Sequence, residues 1–281
     1  MSRGARTALA GLLVLLLAAI LVPVLTGRDA LLIGDSVGAR LVAPLSRDGS
    51  GQWHFLGTDR FGRDLLVRMM LAARLSLAIG VGASVLASAI GVALGAWAGW
   101  SRGMVDRLSM SVADALLALP RLILLLLVAA LWRPGAGTVV FVLALTGWMG
   151  VARLVRAEVL GVRELPFVQA ATALGGTGHR LVWRHVVPNA IGPAIVATTL
   201  GVGNAIVLES GLAFLGLGVQ PPHPSWGNMI AGGRDLIVTA PWVAIAPGLA
   251  LVLTVLATTV LGDALRDRMA GHRVTVLGDR A

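Results

Sequence analysis

Six runs of roughly 20 mostly apolar residues constrain this chain before anything else does: 8–26, 75–100, 108–132, 138–155, 190–216 and 240–262. A helix needs about 20 apolar residues to cross about 30 Å of hydrocarbon, and each run approaches that length. Charged residues make up 13% of the chain, against about 25% in an ordinary soluble domain. The expected fold is an all-α integral membrane protein with about six transmembrane helices. The first run follows Arg3 and Arg6. It is long for the apolar part of a signal peptide and no small-x-small cleavage site follows it, so it reads as an uncleaved first span.

Six spans put both termini on one side. If that side is cytoplasmic, it holds 14 of the 23 arginines: Arg3, Arg6, Arg102, Arg107, Arg121, Arg153, Arg156, Arg163, Arg180, Arg184, Arg266, Arg268, Arg273 and Arg280. Arg133, Arg234 and the seven of segment 27–74 from Arg28 to Arg74 face outward, the latter diluted by five Asp. This asymmetry predicts a multi-pass protein of the cell (inner) membrane with cytoplasmic termini. The chain then divides into an N-terminal anchor with an extracytoplasmic segment (1–74), a transmembrane core (75–268) and a cytoplasmic tail (269–281). Trp97, Trp100, Trp132 and Trp242 fall near span ends, as an aromatic belt requires.

What the chain lacks excludes several chemistries. There is no cysteine, hence no disulfide, thiolate nucleophile or thiolate metal site. All 23 basic residues are Arg, which removes Schiff-base chemistry and the phosphate-binding Lys of a P-loop. A net charge of +9 invites a nucleic-acid reading. Such binding needs a basic stripe on a soluble module, whereas these arginines punctuate the ends of apolar runs. His54, His179, His185, His223 and His272 form no metal-ligand spacing. No Ser/His/Asp set or carboxylate pair stands at membrane depth, so no intramembrane hydrolase is expected.

Between the fourth and fifth runs lies one polar island, 164–189. Pro166 suits a first helical turn. Phe167, Val168, Ala171 and Leu174 have helical spacing. Gly175-Gly176 ends that helix, Thr177 caps a second one through Arg184, and Pro188 is expected to stop it. The product is a helix–Gly turn–helix element on the Arg-rich side. In the second run, Ala83, Ala87, Gly91, Gly95 and Gly99 recur every four residues as a small-residue stripe, fit either for a subunit interface or for packing within the chain. Glu209 and Asn204 in the fifth run either line a pathway or, for Glu209, mark an early end of the helix at the outer interface. Before the second run, Gly57-Thr-Asp-Arg-Phe-Gly-Arg-Asp64 predicts a compact turn with internal ion pairs.

The island carries Gln169-Ala170-Ala171, three residues, Gly175, then nine residues leading to His185-Val-Val-Pro188. This resembles the EAA loop of ABC-transporter permeases. Gly57–Asp64, Ala73-Arg-Leu-Ser-Leu77, Leu212–Pro222, Pro224-Ser-Trp-Gly-Asn-Met229 and Gly262-Asp-Ala-Leu-Arg-Asp267 extend the likeness over roughly residues 55–268. Together they resemble the second permease subunit of dipeptide, oligopeptide and nickel importers. The resemblance implies a chain that is not itself an enzyme, half of a pathway for peptides or a related small solute, nickel included. It implies a second homologous permease, two cytoplasmic ATPase subunits holding ATP and Mg, and an extracytoplasmic substrate-binding protein. Gln169, Ala170, Ala171, Gly175, Arg180, Arg184, His185 and Pro188 then form the ATPase-coupling surface. Asp59, Arg63, Asp64 and Trp226 are the implied docking residues for the binding protein. The chain carries Gln169 where the family usually has Glu, which removes one charge from that surface. Two other classes compete. An ion-driven transporter or channel predicts charged or broken helices at the midplane in two related halves; a membrane scaffold explains the island alone.

Overall fold

The computed structural model describes residues 3–27, 31 and 38–278, with 270–278 as backbone only. Arg28, Arg280 and the side chains of His272 and Arg273, all used above, lie outside the described residues. In chain order, α1 (Arg3–Thr26) precedes a small ribbon of β1 (Ser46–Arg47) and β2 (Trp53–His54), paired antiparallel. Then come α2 (Leu65–Ser101), α3 (Met104–Leu117), α4 (Arg121–Ala129), α5 (Ala136–Leu145) and α6 (Trp148–Arg163). The island forms α7 (Pro166–Ala173), α8 (Gly178–Leu181) and α9 (Val187–Ala190). α10 (Gly192–Phe214), α11 (Trp226–Gly233) and α12 (Trp242–Gly278) complete the chain.

The helical membrane fold is the one the apolar runs dictate, because a backbone in hydrocarbon must satisfy its polar groups within the segment. Among the described residues, four helices are long and apolar enough to span, and up to six spans result when each bent pair, α3–α4 and α5–α6, counts as one. The breaks are new. α3 and α4 meet at 96° at Pro120, which has no N–H to donate and disfavours helix in the residue before it. The run 108–132 is therefore not one rod. α5 and α6 bend by 40° at Thr146-Gly147, where the Thr146 hydroxyl donates to Val142 O and Gly147 lets Ala87 of α2 come close. Arg121, counted above on the cytoplasmic surface, instead reaches inward with Nη2 beside Gly147.

α2 starts at Leu65 rather than at 75. Asp64 caps it, its carboxylate accepting from Val67 N at 3.1 Å, and at about 1.5 Å per residue its 37 residues reach about 55 Å. The small-residue stripe faces α6, inside this chain. A Cβ on Gly91 would stand 2.6 Å from Val151 Cβ, and one on Gly99 would stand 2.9 Å from Arg156 O. Between the two readings of the stripe, packing within the chain is the one seen. Lipid tails give no hydrophobic drive for helices to associate, so close backbone approach and interhelical hydrogen bonds must do it. Such bonds join α2 to α10: Ser84 Oγ donates to Thr198 O at 2.6 Å and Thr198 Oγ1 to Ser88 Oγ at 2.6 Å. α10 lies between α2 and α12, with Gly203 tight against Thr258. α1 leans on α2 and α12, held by Arg74, whose Nε donates to Ala19 O at 2.6 Å.

Candidate functional site

The island is a built element. Pro166 opens α7, and Gly175 ends it with φ +83°, a conformation in which side chains other than Gly are strained. Thr177 sits at the start of α8 as expected, but its side chain makes no capping bond. Pro188 departs from expectation more plainly. It lies in the first turn of α9, and the chain before it, Val182–Val186, widens into a π-turn instead of stopping. A proline inside a helix lacks an N–H and crowds the carbonyl four residues back; a wider turn relieves both. Asn189 Nδ2 donates to His185 O at 2.6 Å in that turn.

One side of the hairpin is buried. Val168, Val182, Val186 and Val187 pack with Val155, Val159 and Val162 of α6 and Ala96 of α2. Trp100 at the end of α2 braces the far helix: its Nε1 would meet a Cβ on Gly178 at 2.9 Å. Arg163 stacks over the Trp100 ring at 5.3 Å and donates to its carbonyl at 2.7 Å. Trp100 thus serves the hairpin, in addition to marking a span end. Arg102 ties the hairpin base through Glu164 at 2.6 Å.

The other side is open. Gln169, Ala170, Gly175, Arg180, Arg184 and Pro188 are exposed, with Ala171 and His185 half-buried beside them. Leu174 is 89% exposed, and Phe167 and Trp183 are each 44% exposed. The sequence pattern put Phe167 and Leu174 on the helix's apolar face, but only Val168 of that set is fully buried. Gln169 Nε2 donates to Glu164 O at 3.2 Å, a bond that an ionised Glu, acceptor only, could not make.

At the opposite end, Gly57–Asp64 is the compact turn expected. Asp59 accepts from Phe61 N at 2.8 Å and Arg63 N at 3.0 Å, and pairs with Arg63 at 2.7 Å and with Arg68 at 3.5 Å. The β-ribbon adds a group the sequence did not reveal: His54 Nδ1 lies 2.7 Å from Asp64 and Nε2 3.2 Å from Asp48. Hydrogen bonds, first of all from the Ser50 hydroxyl, hold the Asp48 carboxyl well below the usual carboxylate range. Asp59 and Asp64 are thus occupied internally, while Arg60 and Phe61 are exposed. Trp226 corrects the expectation outright: it is 0% exposed, its backbone N–H bonded to Ser76 Oγ at 3.2 Å, and offers no surface to a docking protein.

Glu209 fits neither of its two expected places. α10 continues past it to Phe214, and Glu209 is 0% exposed among Ser76, Ser210 and Ser225, with Oε1 buried and unpaired among the described residues. Asn204 is exposed on another face of the same helix. The structure does not bring the two together.

The described residues form a polytopic helical bundle with a hairpin braced on one face and exposed on the other. Comparison with known proteins makes this specific. Residues 91–271 match the family model described as binding-protein-dependent transport system inner membrane component, and the chain belongs to that family. It is 39% identical over 265 residues to a putative peptide transport system permease protein of Brucella suis biovar 1, covering 94% of this chain and 86% of that one. It is 39% identical over 216 residues to the oligopeptide transport system permease protein OppC of Bacillus subtilis, covering 77% and 71%. The fold is shared with a solved inward-facing MetNI methionine ABC transporter, with TM-score 0.58 and 20% identity over 72% of this chain and 95% of that one. The chain is a permease subunit of an ABC importer. The bent helix pairs, which an ion-driven transporter would also carry, belong here to an importer permease.

Proposed function

We propose that the chain forms half of the pathway by which a peptide or a related small solute enters the cell. The names of its relatives support the solute class: peptide, oligopeptide, dipeptide and glutathione permeases all appear among them. In this reading the chain sits in the inner membrane with cytoplasmic termini and pairs with a second permease. A separate binding protein delivers the solute, and separate ATPase subunits supply ATP hydrolysis with Mg.

The hairpin 164–188 is where the ATPase docks. The observation that carries this is its two-sidedness: a valine face anchored on α6, and an opposite face presenting Leu174, Phe167 and Trp183 to the outside. An apolar group so exposed at the end of a membrane bundle marks a contact surface. Arg180, Arg184 and His185 surround it, and they favour an acidic or polar partner surface. Closure of the ATPase pair then pushes α7, and the push reaches α2 through Trp100 and the Arg102–Glu164 pair. Replacing Gly175 by Val tests this. The left-handed backbone costs a side chain about 1–2 kcal/mol, while no atom lies within 4 Å to clash. The expected result is membrane insertion as in the parent chain with loss of ATPase co-purification. Undiminished co-purification and transport would remove the docking assignment.

A further inference from the structure

Where the Gly57–Asp64 turn meets the 221–232 segment, a cavity of 430 Å³ opens beside Arg60, Arg63 and Arg68, with His223 on its wall. Small-molecule sites run from roughly 300 to 1,000 Å³ and combine apolar walls with a few placed polar groups. This cavity has that make-up: Leu65, Met229 and Val243 supply apolar surface, and the arginines supply charge.

The charge is held in place. Asp59 is the single carboxylate on the wall among the described residues, and it already pairs with Arg63 and Arg68 and accepts two backbone N–H groups. Arg60 has no carboxylate partner among the described residues. Its guanidinium lies over Phe61 at 5.2 Å, and Arg63 lies over the same ring at 4.6 Å. The ring thus spaces two guanidinium groups. The far wall is equally fixed: Asn228 Nδ2 donates to Val219 O at 3.1 Å and to His223 O at 2.9 Å, and Ser225 and Asn228 cap each other. A guanidinium is a planar fork that binds carboxylates through two parallel hydrogen bonds.

We infer that this cavity is a carboxylate site, with Arg60 as the principal donor, taking the free C-terminal carboxylate of a short peptide while the apolar wall receives a side chain. The inference rests on the peptide reading above and deepens it. The volume exceeds what a single acidic side chain of a docked protein needs, and the apolar wall would then have no occupant.

The test uses the assembled importer in nanodiscs and the arginine reagent phenylglyoxal, with modification of Arg60 read by mass spectrometry. Dialanine is expected to slow modification of Arg60 several-fold, and dialanine amide is expected not to. Protection by neither, or by both equally, overturns the carboxylate site. So does protection by the delivering protein alone, which would assign the cavity to an acidic side chain of that protein. Labelled-dialanine uptake is scored separately. Uptake with unprotected Arg60 overturns the cavity and leaves the peptide reading standing; absence of any peptide uptake by the parent importer overturns that reading instead. Arg60→Ala, at an exposed position, is expected to raise the KM for peptide uptake several-fold with assembly intact, and an unchanged KM counts against the site.

Discussion

Glu209 shows how one residue ties several segments of a membrane protein together. An ionisable group at membrane depth is costly and finds a partner or a cavity. Here three serines, from α2, α10 and the turn into α11, gather around it. It thereby ties the 215–225 loop to α2 and α10. Glu209→Gln keeps size and one acceptor oxygen while removing the ionisable group, and is expected to leave assembly intact while changing the uptake rate. An unchanged rate and substrate range would confine Glu209 to packing. Gln169 makes a similar local point. Its amide closes onto Glu164 O, so the departure from the family's Glu carries a hydrogen bond of its own.

At the scale of elements, α2 and α6 meet in a close-packed seam. Gly95 lies against Ala152 with no room for a side chain. Overpacking a fitted contact costs typically 1–3 kcal/mol, occasionally more. Gly95→Val is expected to lower the melting temperature of the purified protein by several degrees, whereas Gly150→Val, where no atom lies within 4 Å, should shift it far less. Equal shifts would show that the stripe is not a packing seam. The outer turn and ribbon form the second element with a measurable signature. Because the folded state holds Asp48 below its unfolded value of about 3.9, its contribution is fully present above that value and is lost as pH falls through the lower folded one. The part of the protease resistance of segment 38–64 that Asp48 supplies is therefore expected to be lost only in strong acid. Ser50→Ala should bring that loss to higher pH, since it removes the largest stabilising bond.

For the molecule as a whole, topology is directly testable because the chain has no cysteine. A single cysteine at Leu174 is expected to react with an impermeant maleimide only from the cytoplasmic side, and one at Ser50 only from outside. Labelling of both from one side would overturn the orientation. The spans, the hairpin's Gly turn and the ion-paired outer turn were legible in sequence because each is set by local chemistry: run length, a left-handed residue, alternating charge. The rest depends on tertiary partners. The stripe on α2 reads the same whether it meets α6 or another chain, and only the packed bundle decides. Pro120 and Pro188 both signal a break. One yields a 96° bend and the other a widened turn, because hairpin packing keeps the second helix going. Trp226 looks like a loop aromatic until Ser225 and Asn228 fold it inward as the first residue of α11. His54 meets its two carboxylates only through the ribbon.

α2, finally, runs without an internal proline for about 55 Å, well beyond the roughly 30 Å of hydrocarbon. One of its ends is capped by Asp64 in the ion-paired turn, and the other carries Trp100 against the hairpin. In the reading proposed above, with the ATPase at the hairpin and a delivery protein at the outer end, α2 joins the two sites, and any coupling between them is thermodynamically reciprocal. Whatever factor ATPase engagement adds to the affinity for a solute-loaded delivery protein, that protein must return to the ATPase. In that reading the chain acts as a balance arm, weighing an outside event against an inside one.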